Sequence, residues 1–423
     1  MNQASQKQAI ATTSEAVEQG KVDVANKGAT SIGSLESLEK DDFDRNVWNV
    51  MGIPIDLVDI EGAVTAVVGA VRDQKQLSFV TPNVNILVAS HNDRALREKI
   101  VDSDLSLVDG APLVKMAQSL GVPIKSRCAG SDVFDALRNR PGFAGRQIKV
   151  FFFGGRDGAA EAADQVINAE NSGIVSVGFH NPGFGDVESM STPEIIDEIN
   201  QAEPDFVLVS LGFAKGQAWI DHNKDRLDAP VTSHLGAVVD FVAGGVKRSP
   251  QWVSRIGGEW LFRIFQEPAL WQRYFRDGVA LAKIALKSGG SKKDETGQSA
   301  AAAIEIEQAD GALLLTCRGN VGGENNAVIK QYFREVLSQL QKTSSTREVV
   351  LNLEEARGLD ASFWGMVLML EKNVRQFGAE IVVVNSGAVI QKQLQRNYLP
   401  YRLVAVPQLQ REPVTKGGFA QVS

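Results

Sequence analysis

The sequence predicts an α/β protein: a domain on a parallel sheet, an amphipathic helical appendage at its carboxyl end, and a second, smaller α/β unit. Three observations carry that prediction. From Val50 to about Gly245 short apolar runs alternate with amphipathic helical stretches, the rhythm of parallel strands joined by crossover helices. From Lys247 to Arg276 the chain holds six Lys/Arg and seven aromatic residues against two acids, although the net charge of the whole chain is -7. From Ile304 to about Val404 the strand and helix rhythm resumes over about one hundred residues, a usual domain size. A chain of 423 residues has room for about two to three such units.

Taken in order, residues 1–45 are rich in Ser, Gln, Ala, Glu and Lys and hold no aromatic before Phe43, so a flexible arm without a packed core is expected. The sheet domain occupies 46–246. LSFVTPN predicts a strand, followed by a helix from Ile86 toward Val101 and a strand at LSLVDGA. IKVFFFGG, IVSVGFH and DFVLVSLG predict three more strands, with helices through Val166 and around Ile195 to Ala202 between them. In the appendage, 247–287, Ile256, Trp260, Leu261, Ile264 and Phe265 recur at helical spacing beside Arg255 and Arg263, so a first helix ends before Pro268 and a second begins near Ala269. Two readings fit this segment. Its rings can sit at a bilayer's headgroup level while guanidinium groups hold phosphates bidentately. Equally, it can be a core-packing helix pair with a solvated basic rim. SGGSKKDETGQSA, within a linker at 288–303, separates the appendage from the second unit, 304–410. There ALLLTC, EVVLNLEE and EIVVVNS predict strands, with helices from Asn326 to Gln341, from Ala361 to Phe377 and before Pro400, and 411–423 forms a tail.

Composition excludes several classes. A pI of about 5.4 argues against general nucleic-acid binding. Cys128 and Cys317 lie far apart with no CxxC pattern, which fits a reducing cytosol and supplies no zinc spacing. No run of about twenty apolar residues and no basic-then-apolar leader occurs, so a cytosolic protein, or one lying on a membrane face without spanning it, is expected. His91, His180, His222 and His234 show no HExxH spacing, GxSxG is absent, and the GxGxxG with acidic ribose partner of a nicotinamide enzyme is missing.

Open α/β sheets act from the carboxyl ends of their strands. Three such ends are unusual: Thr81-Pro82-Asn83, Asp109-Gly110, and Gly154-Gly155-Arg156-Asp157-Gly158. Asp-Gly is also a common turn, and the glycine loop, lacking the Walker lysine, is also an ordinary strand-to-helix connection. Asp42/Asp44 and Asp102/Asp104 have DxD spacing but read as solvated turns or caps, with no metal implied.

VTPNVNIL (80–87), LVDGAPLV (107–114), SRCAGSDV (126–133), FFFGGRDGAAEAA (151–163), VSLGFAKGQAWI (209–220) and HLGAVVDFVAGGVKRSPQWVSRIGGEWLFRIFQEP (234–268) together resemble the WecG/TagA/CpsF family of bacterial glycosyltransferases, over roughly Val50 to Arg276. The resemblance implies a Rossmann-like transferase domain. It implies inverting transfer of a sugar, commonly N-acetylmannosamine, from UDP to a polyprenyl-diphosphate-linked acceptor in surface polysaccharide synthesis, without an obligatory metal or cofactor. By the same resemblance Asp109 is the general base, Thr81 and Asn83 align acceptor or donor, and Gly154, Gly155, Arg156 and Gly158 hold the UDP phosphates. Arg127 or Arg156 counters charge on the departing diphosphate, and Arg255, Arg263 and Arg273 grip the acceptor at the inner face of the cytoplasmic membrane. Homo-oligomers are common in the family. Where the family reads GAPKQE this chain reads Gly212 to Gln217 as GFAKGQ, so Gly216 stands in place of a glutamine and Gln217 is the candidate substitute.

EVVLNLEEARGLDASFWGMVLMLEKNVRQFGAEIVVVNSG (348–387) resembles a STAS domain, in which a loop serine before a helix takes a phosphate and switches binding of a protein partner. Ala361 holds the usual acceptor place, which leaves Asp360 and Ser362 as the regulatory candidates; Asp360 also reads as a helix N-cap. Two functions follow: an enzyme carrying an interaction module, or a noncatalytic scaffold that binds nucleotide sugar or lipid acceptor and signals through that module.

Overall fold

The computed structural model describes residues 41–245, 249–250, 253, 258–288, 302–309, 311–343, 345–385 and 387–405. The described chain opens on a short 3-10 turn, Asp42–Asp44, and an antiparallel hairpin, β1 (Val47–Val50) and β2 (Ile53–Asp56), in which Val50 pairs with Ile53. The two-residue turn has Met51 at φ 52 and Gly52 at φ 88, the doubly left-handed geometry that suits the twist of a tight hairpin. This differs from the arm expected over 1–45, because Asp42 and Phe43 are buried. Phe43 packs on Phe333 with ring centroids 5.9 Å apart.

The sheet domain continues with α1 (Ile60–Asp73), β3 (Leu77–Val80), α2 (Val84–Asn92), α3 (Arg94–Asp102), β4 (Leu105–Ser106), α4 (Ala111–Ser119), α5 (Gly130–Arg138) and β5 (Ile148–Gly154). Then come α6 (Ala159–Asn168), β6 (Ile174–His180), α7 (Pro193–Gln201), β7 (Phe206–Ser210), α8 (Phe213–Asn223), β8 (Val231–His234) and α9 (Val238–Val242). The single helix expected from Ile86 toward Val101 is two. Asp93 leaves helical geometry at φ -135 and ψ 104, and its carboxylate caps the new helix by accepting from the Leu96 amide at 3.1 Å.

The six strands run β4-β3-β8-β7-β5-β6, each pair parallel. Their interior is apolar on both faces, as a helix-covered parallel sheet requires. Phe152, Phe206 and Leu208 join Val67, Phe134 and Val239 on one side, while Phe151, Phe153 and Val209 join Trp219, Ile199 and Ile220 on the other. Strand β5 leads to β6 on one side and β7 leads to β8 on the other, so a crevice opens between their carboxyl ends.

The appendage forms α10 (Glu259–Gln266), a 3-10 turn at Pro268–Leu270, and α11 (Trp271–Ser288); Arg255 and Ile256 lie outside the described residues. The small domain follows as β9 (Ala303–Ala309), β10 (Ala312–Asn320), α12 (Asn326–Lys342), β11 (Glu348–Asn352), β12 (Ala356–Arg357), α13 (Ala361–Gln376), β13 (Glu380–Val384), α14 (Ala388–Arg396) and β14 (Arg402–Val404). Its sheet runs β12-β10-β11-β13-β14 in parallel, with β9 added antiparallel along β10. The DxD pairs are structural, though not all solvated as expected. Asp42 lies buried between Arg45 and Lys372, and Asp104 accepts from the Ser78 amide at 2.7 Å. Asp44 and Asp102 are paired to Arg334 and Arg375. Cys128 and Cys317 are buried thiols, and burial raises each to about 12, the state of inert core residues.

Candidate active site

Four of the sequence candidates meet where β3 and β4 end. Pro82 lets the chain leave β3 in an extended turn, and its carbonyl accepts from the Asp109 amide at 2.8 Å, which ties the two strand ends together. Asn83 caps α2, its side-chain oxygen accepting from the Ile86 amide at 3.1 Å. Arg127 arrives from the segment before α5, held by Cys128, whose amide donates to Val108 at 2.8 Å. Its guanidinium lies 3.8 Å from the Asp109 carboxylate and 3.1 Å from that of Asp132. Asp109 and Arg127 are both partly open to solvent, so the pair lies outside the core. Thr81 packs its methyl toward Gly130, where a Cβ would meet it at 3.0 Å and overlap Leu235.

The glycine loop lies at the crevice between β5 and β7. Gly154 (φ 87) and Gly155 (φ 108) adopt backbone that side chains rarely take, and a Cβ on Gly154 would also run into the Ser210 carbonyl at 2.8 Å. The loop therefore approaches β7 closely, with the Gly155 amide donating to Ser210 at 2.7 Å. Gly158 (φ 74) then opens α6, whose N-terminal amides and dipole end face the same edge. Arg156 points along the surface instead. It pairs with Asp240 of α9 at 3.7 Å and with Glu267 beyond α10, and Glu267 raises its already high value further. Burial raises the Asp240 carboxyl, against the pull of Arg156.

The appendage is latched to this edge. Arg263 reaches Glu267 at 3.8 Å and stacks over Phe241 of α9 at 5.8 Å, and Arg273 stacks over Tyr274 at 5.5 Å. The Nε atoms of both arginines are buried without a hydrogen-bond partner. Trp260, Leu261, Trp271 and Phe275 are exposed, and Phe265 is 87% exposed, so neither helix hides its aromatic face in a core. No helix among the described residues is long and apolar enough to cross a membrane.

His234, which spacing alone did not single out, ends β8 between the two halves of the crevice. Its ring is buried, and burial lowers its value, so it is neutral; Nε2–H donates to the Leu211 carbonyl and Phe213 meets it edge-on at 5.5 Å. The ring fills the space beside Gly216, where any Cβ would fall inside it. The glycine found at the unusual place in GFAKGQ is therefore required by the histidine. A strand ending in a lone histidine, VTSH, was the available signal. We expect Gly216→Gln to lose about 1–3 kcal/mol from overpacking, and a second change, His234→Ala, to recover most of it; urea unfolding of the single and double variants measures both. Gln217 is 3% exposed and its Oε1 accepts no hydrogen bond, so the candidate substitute is buried.

Asp360 caps α13, accepting from the Ser362 and Phe363 amides at 2.9 Å each. The Ser362 hydroxyl is buried and donates to the same carboxylate at 2.6 Å.

Residues 48–295 match the model of the glycosyl transferase WecG/TagA/CpsF family, and residues 303–399 match that of the STAS domain. Among curated proteins, an N-acetylglucosaminyldiphosphoundecaprenol N-acetyl-beta-D-mannosaminyltransferase of Bacillus subtilis is 30% identical over 203 residues, covering 48% of this chain and 76% of that protein. Enzymes of the same description from Bacillus spizizenii (28% over 202 residues, covering 48% and 76%) and Staphylococcus aureus (26% over 205 residues, covering 48% and 77%) are similar to the same extent.

Proposed function

Because the chain belongs to the WecG/TagA/CpsF family of glycosyltransferases, we propose that it moves an N-acetylmannosamine-type sugar from UDP to a polyprenyl-diphosphate-linked acceptor, with inversion, at a membrane surface. The observation that carries this reading is the row of groups along one sheet edge: Asp109 and Arg127 at β3 and β4, and the glycine loop at β5. Asp109 follows β4, and β4 and β5 are four steps apart, roughly 19 Å at about 4.8 Å per step, so an extended nucleotide sugar would lie across the ends of the strands between them.

The Asp109 carboxylate accepts the proton of the acceptor hydroxyl as its oxygen attacks the anomeric carbon. The bond from that carbon to the UDP oxygen breaks on the opposite face, and UDP leaves with the electron pair. The charge it gains is met by the amides of Arg156 to Gly158 and the start of α6, the Gly155 amide being committed to Ser210, with Arg127 nearer the sugar. Thr81 and Asn83 shape the floor beside the base. The exposed rings of Trp260, Phe265, Trp271 and Phe275 enter the headgroup layer, which brings Arg263 and Arg273 to the acceptor's diphosphate.

A screen for UDP release across nucleotide sugars, with a short-chain lipid-diphosphate acceptor, tests the reaction. Turnover with one donor is expected; binding without turnover for every donor would instead leave the noncatalytic scaffold. In the same assay Arg263→Ala/Arg273→Ala should raise the acceptor KM by about 10²-fold or more with the donor KM unchanged, since each of the two charge-assisted contacts contributes about 1.5–3 kcal/mol. Equal loss on both substrates returns the appendage to a packing role.

A further inference from the structure

We propose that the partner of the STAS domain is the transferase domain of the same chain, and that their contact positions the strand end carrying Asp109. Helix α13 is buried on every side from Ala361 to Val374, its polar residues Glu371, Lys372 and Asn373 included. The small domain's own sheet covers only part of it. The rest is seated on the hairpin β1–β2 and on α3. Gly365 lies so close to β1 that a Cβ would run into the Val47 carbonyl, and Ala361 joins the cluster of Val50, Ile53 and Val80. Glu371 holds Arg97 of α3 through two bonds of 2.7 and 3.0 Å, while Arg97 Nε donates to Gly52 at 2.8 Å.

A second set of contacts runs inward. Lys372 and Asn373 donate to Asp42 at 3.0 and 3.1 Å; Arg45 bridges Asp42, at 2.9 Å, and Asp56, at 2.7 Å. Asp56 in turn accepts from the Ser106 amide at 2.7 Å, three residues before Asp109. Every link is a charge-assisted bond with buried or part-buried partners, where loss of one member leaves its neighbour an uncompensated charge. Ser362 is 2% exposed, its hydroxyl held by Asp360 and Asn326 within the small domain, so it is not presented to a separate protein.

The test uses the full chain with a protease site inserted in 289–301. After cleavage the two halves should co-elute and retain turnover. In the double variant Glu371→Gln/Lys372→Met the cleaved halves should separate. The uncleaved double variant should lose about 10²-fold in kcat with the UDP-sugar KM within about twofold, the mark of a displaced base rather than a lost donor site. Amide exchange at Ser106 should rise with it, and the single conservative variant Lys372→Arg should leave both near the wild-type values. If the double variant does not fold, Asn373→Ala, which removes the 3.1 Å bond to Asp42 and leaves both ion pairs in place, carries the same split at smaller size. Wild-type halves that separate with kcat intact, a separate protein that displaces the small domain without loss of turnover, or a double variant with unchanged kcat and Ser106 exchange would overturn the proposal. The kcat readings rest on the transfer reaction proposed above; co-elution and amide exchange do not, so a chain without turnover but with joined halves rejects that reaction alone.

Discussion

Asp109→Asn should lower sugar transfer by about 10²–10⁴-fold with little change in stability, the loss expected when a positioned general base is removed. The substitution keeps shape and volume. The bond that places residue 109 is its backbone amide to Pro82 at 2.8 Å, which the change leaves intact, and Arg127 keeps Asp132 at 3.1 Å as a second partner. Steady-state UDP release, with and without acceptor, beside a urea melt separates the two effects. A variant that retains full transfer sinks the assignment of Asp109. A variant that loses donor binding in proportion makes the carboxylate a donor contact instead.

The largest expected effect on stability lies at Glu371. Glu371→Gln leaves Arg97 buried against an amide, and breaking a buried pair on one side costs about 3–5 kcal/mol. The pH dependence has a definite sign. Burial alone would raise the Glu371 carboxyl, but Arg97, with Arg375 and Tyr401, outweighs it and the group lies below its ordinary 4.5 when folded. Its contribution is therefore complete above about 4.5 and is lost as pH falls through the lower folded value. Asp42 acts in the same direction: burial opposes ionisation, yet Lys372 and Arg45 hold its carboxyl below its ordinary 3.8. Urea melts at pH 7 and through the acid range below 4.5 should show the wild type losing stability as pH falls, and the Glu371→Gln variant starting lower with a flatter acid limb. An equal slope in both would assign the acid sensitivity to other carboxylates.

How far the chain can be read from sequence depends on the range of the interactions. Strands β5 and β7 are legible because each is a short apolar run buried on both faces, as IKVFFFG and FVLVS display, and β3 and β6 because their apolar runs stand out although they are only partly buried. Strand β4 is only Leu105–Ser106, and what marks it in the sequence is the Asp109-Gly110 turn that follows. The break at Asp93 was obscured because apolar periodicity continues across it, whereas the cap that makes it is one local bond. Thr81, Asn83 and Asp109 could be brought together from the sequence, since they follow strands of one parallel sheet, whereas Arg127 follows no strand and is reached only through the family resemblance. His234 could not, because its meaning depends on the empty space at Gly216, a contact across eighteen residues that no spacing rule encodes. The buried charges of α13 were equally hidden. EKN within an otherwise apolar helix reads as a solvated edge until the hairpin that covers it is known.

That hairpin has a consequence for the making of the protein. Residues 47–56 leave the ribosome early, but the helix that covers them, Ala361–Gln376, follows about 300 residues later. At about 5–20 residues per second, the nascent chain carries Val47 and its neighbours without their lid for roughly 15–60 seconds. During that interval the face of the hairpin that Ala361–Gln376 later covers is open to a chaperone that binds extended apolar segments.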